Sequence, residues 1–328
     1  MDNDDFIRKH RELMKDSAIA TKGCYLPKCK NNPIKAHSIS NNKLLRGISE
    51  KGIVLRVDWT PEEGCHLTEC GRGLASTFKG FCDEHDKIFE NIDTKDYTVG
   101  DIRQEFLFAM RGAAKELNAK GIASASTNAI LSGNNRQGLC VIEEFKDEMK
   151  VFDIGQYISI IDQNKTRSIL IDTLSKKKYH VLESARFVLD RYYPIVASSS
   201  FNMELDNNGN IINNVFPEAY SEKMKPCFFT LFPQGDKTFC IISYFRKHRR
   251  DYRFLKSFED AKDADKKVLI SNILASYVEN FFIKPSYWES LNYKTKNQLR
   301  CLLNKTILRE VSQRLVALIE DAEFNIFQ

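Results

Sequence analysis

The sequence predicts an α+β protein in which a small cysteine- and histidine-rich module precedes a mainly helical body with a small antiparallel sheet. Three observations predict it. Five of the nine cysteines and three of the six histidines fall between positions 24 and 85. Long stretches after position 98 repeat apolar residues at helical spacing. From Pro194 the pattern changes to short apolar runs separated by turn residues, which is typical of strands.

Composition limits the class of protein. The chain has 328 residues, of which 42% are hydrophobic and 28% charged, and its net charge is +5. No apolar run approaches the ~20 residues that span a bilayer, so we expect no membrane contact. The acidic start of the chain lacks the apolar region of a signal peptide, so we expect a cytoplasmic protein. Thiols stay reduced there, and clustered cysteines favour metal ligation over disulfides.

A leading amphipathic helix is predicted within residues 1–22. Its apolar residues recur at close to helical spacing among charged residues, and they are Phe6, Ile7, Leu13, Met14, Ala18 and Ile19. We expect this helix to pack against the module that follows it.

Four residues of the module at 23–95 have the types and spacing of a zinc site. Cys24 and Cys29 flank Pro27 in a tight turn that would present two thiolates to one ion. Cys82 and His85 are three residues apart, so both side chains would lie on one face at the start of a helix. The sequence therefore predicts structural Zn²⁺ bound by three cysteines and one histidine. The alternative is a set of buried cysteines without metal.

Three further ligand types, Cys65, His66 and Cys70, lie in a stretch at 58–73 that we predict to be a loop because glycine and proline interrupt it. They would belong to a second metal site, replace a member of the first, or bind no metal.

Elsewhere in the module, Ile53 to Val57 is predicted to be a strand. Residues 34–39 are predicted to form a short strand that leads into a helix.

The body at 96–328 is predicted to be helical, with an antiparallel sheet at about 194–245. Its first helix would end at Gly121, and the serine-, asparagine- and glycine-rich residues 122–138 would form a loop. Two helices are predicted at about 139–165 and 166–192. The chain from about 257 to 321 is predicted to return to helix, with Val311, Leu315 and Leu318 on its last apolar face.

Residues 24–90, about a fifth of the chain, resemble the HNH/treble-clef endonuclease family. The resemblance is carried by the two ligand pairs and by His37 in an Ala-His-Ser-Ile-Ser sequence. It implies a treble-clef zinc module, with His37 as general base and Asp86 as ligand of a catalytic Mg²⁺ or Mn²⁺. The family's middle Asn would fall near Ser76 or Thr77, and neither is Asn. His37 would otherwise be a zinc ligand or a structural histidine.

The same residues also resemble bacterial proteins that join a zinc-binding head to a long helical body. That likeness carries no assigned activity. A setting in bacterial defence against phage would fit the resemblance.

A basic stretch at 245–254 is a candidate nucleic-acid contact. Its cations are interleaved with aromatic residues, a combination that suits phosphate binding and base stacking, and they are Arg246, Lys247, Arg249, Arg250 and Arg253. The alternative is a solvated basic turn whose charges pair with the acidic run Glu259, Asp260, Asp263 and Asp265.

Two functions follow as hypotheses. The first is a zinc-containing protein that acts on nucleic acid as a divergent HNH-type, metal-dependent nuclease. The second is a non-catalytic module, folded by zinc, that binds a protein or nucleic-acid partner or forms a homo-oligomer.

Overall fold

The computed structural model describes residues 3–20, 23–60, 62–215, 222–307 and 323–328. The helices of this part are α1 (Asn3–Ala20), α2 (Arg46–Ile48), α3 (Asp83–Asp86), α4 (Glu90–Thr94), α5 (Ile102–Leu131), α6 (Lys146–Lys176), α7 (Arg253–Ser257), α8 (Asp263–Tyr277), α9 (Pro285–Ser290) and α10 (Tyr293–Ile307). The strands are β1 (Ala36–His37), β2 (Ile53–Thr60), β3 (Gly64–Gly71), β4 (Thr77–Phe78), β5 (Leu182–Leu189), β6 (Ile195–Phe201), β7 (Cys227–Gln234), β8 (Lys237–Phe245) and β9 (Phe281–Ile283). Among these residues, none of the helices combines the length and the hydropathy that a membrane span requires.

The chain divides into two compact units. Unit 1 comprises residues 1–36, 78–87 and 113–172. Unit 2 comprises residues 37–77, 88–112 and 173–328. All four predicted zinc ligands belong to unit 1, whereas His37 and the basic stretch belong to unit 2.

The sheet of unit 2 is larger than the sequence predicted. It has seven strands in the order β3-β2-β9-β6-β7-β8-β5, and every pair is antiparallel. The predicted strands near 195–203, 227–232 and 238–245 are its adjacent strands β6, β7 and β8. The helix predicted from about 257 to 321 is wrong at Phe281–Ile283, which form β9 between β2 and β6. The separate two-stranded sheet consists of β1 and β4.

The predicted loop at 58–73 is wrong, because most of it forms the β2–β3 hairpin. Ile53 pairs with Gly71 at one end and Thr60 with Gly64 at the other. Gly64 has a φ of +66°, and a Cβ there would lie 2.3 Å from Asn304 Oδ1. Asn304 accepts a hydrogen bond from the backbone of Cys65 at 2.9 Å. The glycine that indicated a loop is therefore a turn residue that also permits close contact with α10.

The predicted helix at 166–192 is wrong in its second half. Helix α6 ends at Lys176, and the chain then forms strand β5 along β8, from Leu182 opposite Phe245 to Leu189 opposite Thr238. Both faces of β5 carry buried residues, so its apolar residues do not alternate cleanly and resemble a helical pattern.

The predicted loop at 122–138 is shorter than expected. Helix α5 continues to Leu131 despite the serine and asparagine residues in its last turns. Several of these polar side chains hydrogen-bond to carbonyls of the preceding turn, as Ser126 does to Ala123 at 2.9 Å.

The leading helix is confirmed as α1. Val311, Leu315 and Leu318 lie outside the described residues.

The core of unit 2 lies on the sheet. Strands β5 to β8 contribute fully buried aromatic and aliphatic residues, and α8 and α10 cover them with Ile270, Ile273, Leu274, Leu299 and Leu302. Phe187, Phe229 and Phe281 are each at most 1% exposed. Unit 2 therefore has the extensive apolar burial that stabilises a domain without a cofactor.

Candidate metal centre

Backbone hydrogen bonds bring the two predicted ligand pairs together in unit 1. The amide of Tyr25 donates to the carbonyl of Gly80 at 2.5 Å, and the amide of Ile34 donates to that of Phe81 at 2.8 Å. These bonds join the first cysteine pair to the segment that precedes α3. Cys82 occupies the position before the first residue of α3, and His85 lies in that helix. The predicted helix start at Cys82 is confirmed.

The four ligand atoms form one compact group. The candidate ligand atoms of Cys24, Cys29, Cys82 and His85 all lie within 4.8 Å of one another. The sulfurs of Cys29 and Cys82 are 3.8 Å apart. His85 Nδ1 lies 3.3 Å from Cys24 Sγ and 3.2 Å from Cys82 Sγ. A tetrahedron with Zn–S bonds of ~2.3 Å has sulfur–sulfur edges of about 3.8 Å, so the donor set fits a zinc ion.

The turn between the first two cysteines is tight. Lys28, directly before Cys29, has a φ of 60° and so adopts the left-handed conformation. Pro27 fixes the preceding backbone dihedral. The strained position allows the chain to reverse within four residues and present both thiols to the same point.

The thiols influence one another electrostatically. Burial opposes ionisation of Cys82, but the backbone N–H of His85 and the neighbouring Cys29, Cys24 and His85 side chains outweigh it and lower its pKa to about 7. For Cys29, the backbone N–H of Asn31 lowers the pKa. Burial and the thiols of Cys82 and Cys24 raise it more, so the net shift is upward. Thiolates this close repel one another, and a bound cation relieves the repulsion.

A second layer of contacts supports the first cysteine pair. Arg167 of α6 donates from Nε to the carbonyl of Tyr25 at 2.6 Å, and its guanidinium lies 5.3 Å from the Tyr25 ring centroid. Tyr25 in turn packs on Phe81 with the ring centroids 5.5 Å apart. A Cβ at Gly80 would lie 2.2 Å from the Phe78 ring. The ligand segments are therefore held by packing as well as by backbone hydrogen bonds.

The three other ligand types of the module do not join this group. Cys65 and Cys70 are buried in β3, and His66 Nδ1 lies 3.0 Å from the carbonyl of Gly64. Across the residues that the structure describes, the Cys₃His group is the one set of three or more Cys, His, Asp or Glu residues with metal-binding spacing.

His37 lies in unit 2 and is not part of the Cys₃His group. Its Nδ1 is 2.9 Å from the backbone carbonyl of Ala75. A carbonyl can only accept, so Nδ1 carries the proton and Nε2 is the basic nitrogen. Asp86 lies on α3 in unit 1, where its amide donates to the carbonyl of Cys82 at 2.9 Å. The roles given to His37 and Asp86 stay predictions.

Sequence reasoning missed a residue beside His37. Ser76 is buried and has a φ of 59°, which is rare for serine. Its hydroxyl accepts from the amide of Ile39 at 3.3 Å and donates to the carbonyl of Ile39 at 3.2 Å. The carbonyl of Ser76 accepts from Ser38 at 3.0 Å. Ser76 thus fixes the two residues that follow His37, and a serine gives no sequence signal for that conformation.

The basic stretch follows β8. Its five cations, Arg246, Lys247, Arg249, Arg250 and Arg253, are all exposed. Two of its three aromatic residues are buried, with Phe245 2% exposed and Tyr252 fully buried, and the third, Phe254, is half-buried against the core. The cations are therefore available to a ligand, whereas base stacking on Phe245 or Tyr252 would require the core to open.

Comparisons with protein-family models, with curated proteins and with solved structures found no match to this chain.

Proposed function

We propose that this chain is a zinc-stabilised protein that acts on nucleic acid, as a divergent HNH-type nuclease with His37 as general base. The observation that carries the proposal is the Cys₃His group, whose ligand atoms lie within 4.8 Å of one another. It supports a structural zinc ion at the positions where the HNH resemblance requires one.

The proposed zinc ion is structural because the protein supplies four ligands. A catalytic zinc site keeps one position open for water or substrate, whereas a Cys₃His site is closed. Cys24, Cys29, Cys82 and His85 would hold the ion. Its role would be to fix the first cysteine pair and α3, in a treble-clef arrangement in which β1 and β4 supply the two strands.

His37 is suited to accept a proton. The Nδ1–H that donates to Ala75 orients the ring and leaves the lone pair on Nε2. In phosphodiester hydrolysis, Nε2 would take a proton from the attacking water. The water oxygen would bond to phosphorus while the bond between phosphorus and the leaving oxygen breaks. Ser76 would hold the base in place through its hydrogen bonds to Ile39.

A catalytic Mg²⁺ or Mn²⁺ on Asp86 belongs to the same proposal, by resemblance alone. When bound, such an ion would stabilise charge on the leaving oxygen. His37 and Asp86 belong to different compact units, and within the described residues neither belongs to a group of three or more candidate metal ligands.

The test is cleavage of labelled DNA and RNA with Mg²⁺ or Mn²⁺, comparing wild type with His37→Ala. Loss of a general base should slow cleavage by roughly 10²- to 10⁴-fold. His66→Ala is a matched control, because His66 also places Nδ1 near a backbone carbonyl and lies in unit 2. Zinc content, measured by elemental analysis, should be equal in all three proteins.

Equal cleavage by wild type and His37→Ala would refute the role of His37. A wild type that holds zinc and cleaves neither DNA nor RNA would favour the second candidate, a non-catalytic zinc-stabilised binding module. The observation in favour of that module is that the described residues contain one metal-binding group and that this group has the closed structural type.

A further inference from the structure

We propose that two segments of unit 2 form one phosphate-binding surface that contacts the nucleic-acid backbone independently of base sequence. The surface comprises Lys177, Lys178, Arg246, Lys247, Arg249, Arg250 and Arg253, and we call it the basic surface. The inference rests on the proposed action on nucleic acid. It adds that the phosphate backbone is the part of the ligand that is recognised and that Lys177 and Lys178 contribute to the surface.

The sheet brings the two segments together. Leu182, at the start of β5, pairs with Phe245, at the end of β8. The 3₁₀ turn Tyr179–Val181 before β5 lies against the 3₁₀ turn Arg246–His248 after β8. Lys177 and Lys178 directly precede the first of these turns, and both are exposed. Residues that are almost seventy positions apart in the sequence thus extend one basic region.

The cations of the basic surface are available. None of its seven lysines and arginines forms an ion pair with any residue that the structure describes, and all are exposed. Two acids of the run that follows have lysine partners outside the basic surface: Glu259 pairs with Lys256 at 3.2 Å, and Asp263 pairs with Lys267 at 2.5 Å. Unpaired exposed cations of this density leave a concentrated positive potential that attracts polyanions.

The one acid within residues 245–254 does not cancel this charge. Asp251 binds Lys225, which lies outside the basic surface, at 2.7 Å. Asp251 also fixes the local backbone, because its amide donates to the carbonyl of His248 at 3.0 Å. The surface therefore keeps its positive charge while the turn that carries it is held in one conformation.

Buried aromatic residues anchor the turn and determine what it can contact. Tyr252 stacks on Tyr244 with ring centroids 5.1 Å apart, and its hydroxyl donates to the carbonyl of Lys225. Phe245 packs edge-on against Phe228 at 5.8 Å. Because Phe245 and Tyr252 are buried and the half-buried Phe254 packs against the same core, the outward face of the segment offers mainly charge. Backbone phosphates, which carry no sequence information, are the ligand that fits it.

The experiment measures binding of the full-length protein to labelled duplex DNA by fluorescence anisotropy over a range of salt concentrations, with no Mg²⁺ or Mn²⁺ added. Two duplexes of unrelated sequence should bind equally. Arg249→Ala/Arg250→Ala should weaken binding about tenfold or more and reduce the slope of log Kd against log salt by about 1.8. Lys177→Ala/Lys178→Ala should reduce that slope by a similar amount.

Lys294→Ala/Arg300→Ala is the matched control. It removes two exposed cations from α10 in the same unit, so its affinity and salt slope should equal those of wild type. An unchanged slope in both surface variants would overturn the inference. A strong dependence of the affinity on base sequence would also overturn it. The same holds if these residues bind phosphatidylserine vesicles and neither DNA nor RNA.

The two proposals fail in different ways. Binding that depends on Arg249 and Arg250 in a protein that never cleaves would remove the nuclease and leave the basic surface intact. Cleavage that depends on His37, with substrate affinity unaffected by the surface variants, would remove the basic surface and leave the nuclease intact.

Discussion

The ligand segments of unit 1 and the sheet of unit 2 differ in the regular structure that they contain. Residues 24–36 and 78–87 contain a tight turn, short strand ends and the four-residue helix α3, and their ligand side chains meet at one point. Unit 2 contains seven paired strands and buries long rows of aliphatic and aromatic side chains on them.

This difference shows how each part can be ordered. Short irregular segments bury too little apolar surface to offset the conformational entropy lost on folding, so a metal ion often supplies the missing free energy. A seven-stranded sheet covered by helices obtains that free energy from apolar burial. The metal should therefore matter greatly to one part and little to the other.

The largest expected effect comes from disrupting the metal site. Cys82→Ser, or removal of metal with a chelator, should abolish hydrogen-exchange protection in residues 24–36 and 78–87 while β6, β7 and β8 keep theirs. Structural zinc in small modules contributes about 10–16 kcal/mol of apparent binding free energy. Cys301→Ser, at an exposed thiol on α10, is the control and should change neither region. Full protection of both segments in metal-free protein would show that packing alone orders them.

The next effect should appear in unit 2 alone. The buried carboxylate of Glu105 accepts two bonds from Arg186, at 2.6 and 2.8 Å, and one from the Tyr97 hydroxyl at 2.8 Å. Glu105→Ala would leave the partly buried guanidinium of Arg186 without this carboxylate, with one bond left to the carbonyl of Ser184. We expect the free energy of unfolding to fall by about 3–5 kcal/mol, measured by denaturant titration, with zinc content unchanged.

Glu289→Ala is the control for that prediction. Glu289 pairs with Lys296 at 3.5 Å, but its side chain is 77% exposed, so its loss should cost at most about 1 kcal/mol. If the Glu105→Ala protein is as stable as this control, the pair of Glu105 and Arg186 makes no net contribution to the free energy of unfolding.

The smallest expected effect is at the turn of the metal site. Lys28 adopts a φ of 60°, and glycine tolerates that conformation without a Cβ clash. Lys28→Gly should therefore strengthen zinc binding by about 1 kcal/mol, measured by competition with a chromophoric chelator. Lys30→Gly, at an exposed position two residues away, should give no gain. Weaker zinc binding in Lys28→Gly than in Lys30→Gly would contradict the assignment of strain to this position.

Local spacing made part of this molecule predictable. The three-residue interval between Cys82 and His85 and the turn around Pro27 indicated the ligand pairs, because both signals depend on a few adjacent residues. The leading helix and the strands β6 to β8 had clear apolar patterns. Three strands of the large sheet were missed: β3, β5 and β9, the last of which lies in the chain predicted to be helical. Glycines near β3 looked like loop signals, and burial on both faces of β5 removed the alternation that identifies a strand.

By itself, the sequence determined the metal-binding residue types, their grouping in two pairs and the presence of a basic stretch. The tertiary structure alone decided that the sheet has seven strands, that Ser76 takes a left-handed conformation beside His37, and that the cations near Arg249 face outward while Phe245 and Tyr252 face the core. The physical reason is distance along the chain. Helix faces and turns depend on neighbouring residues, whereas strand pairing and burial depend on partners far apart in sequence, such as Leu182 and Phe245.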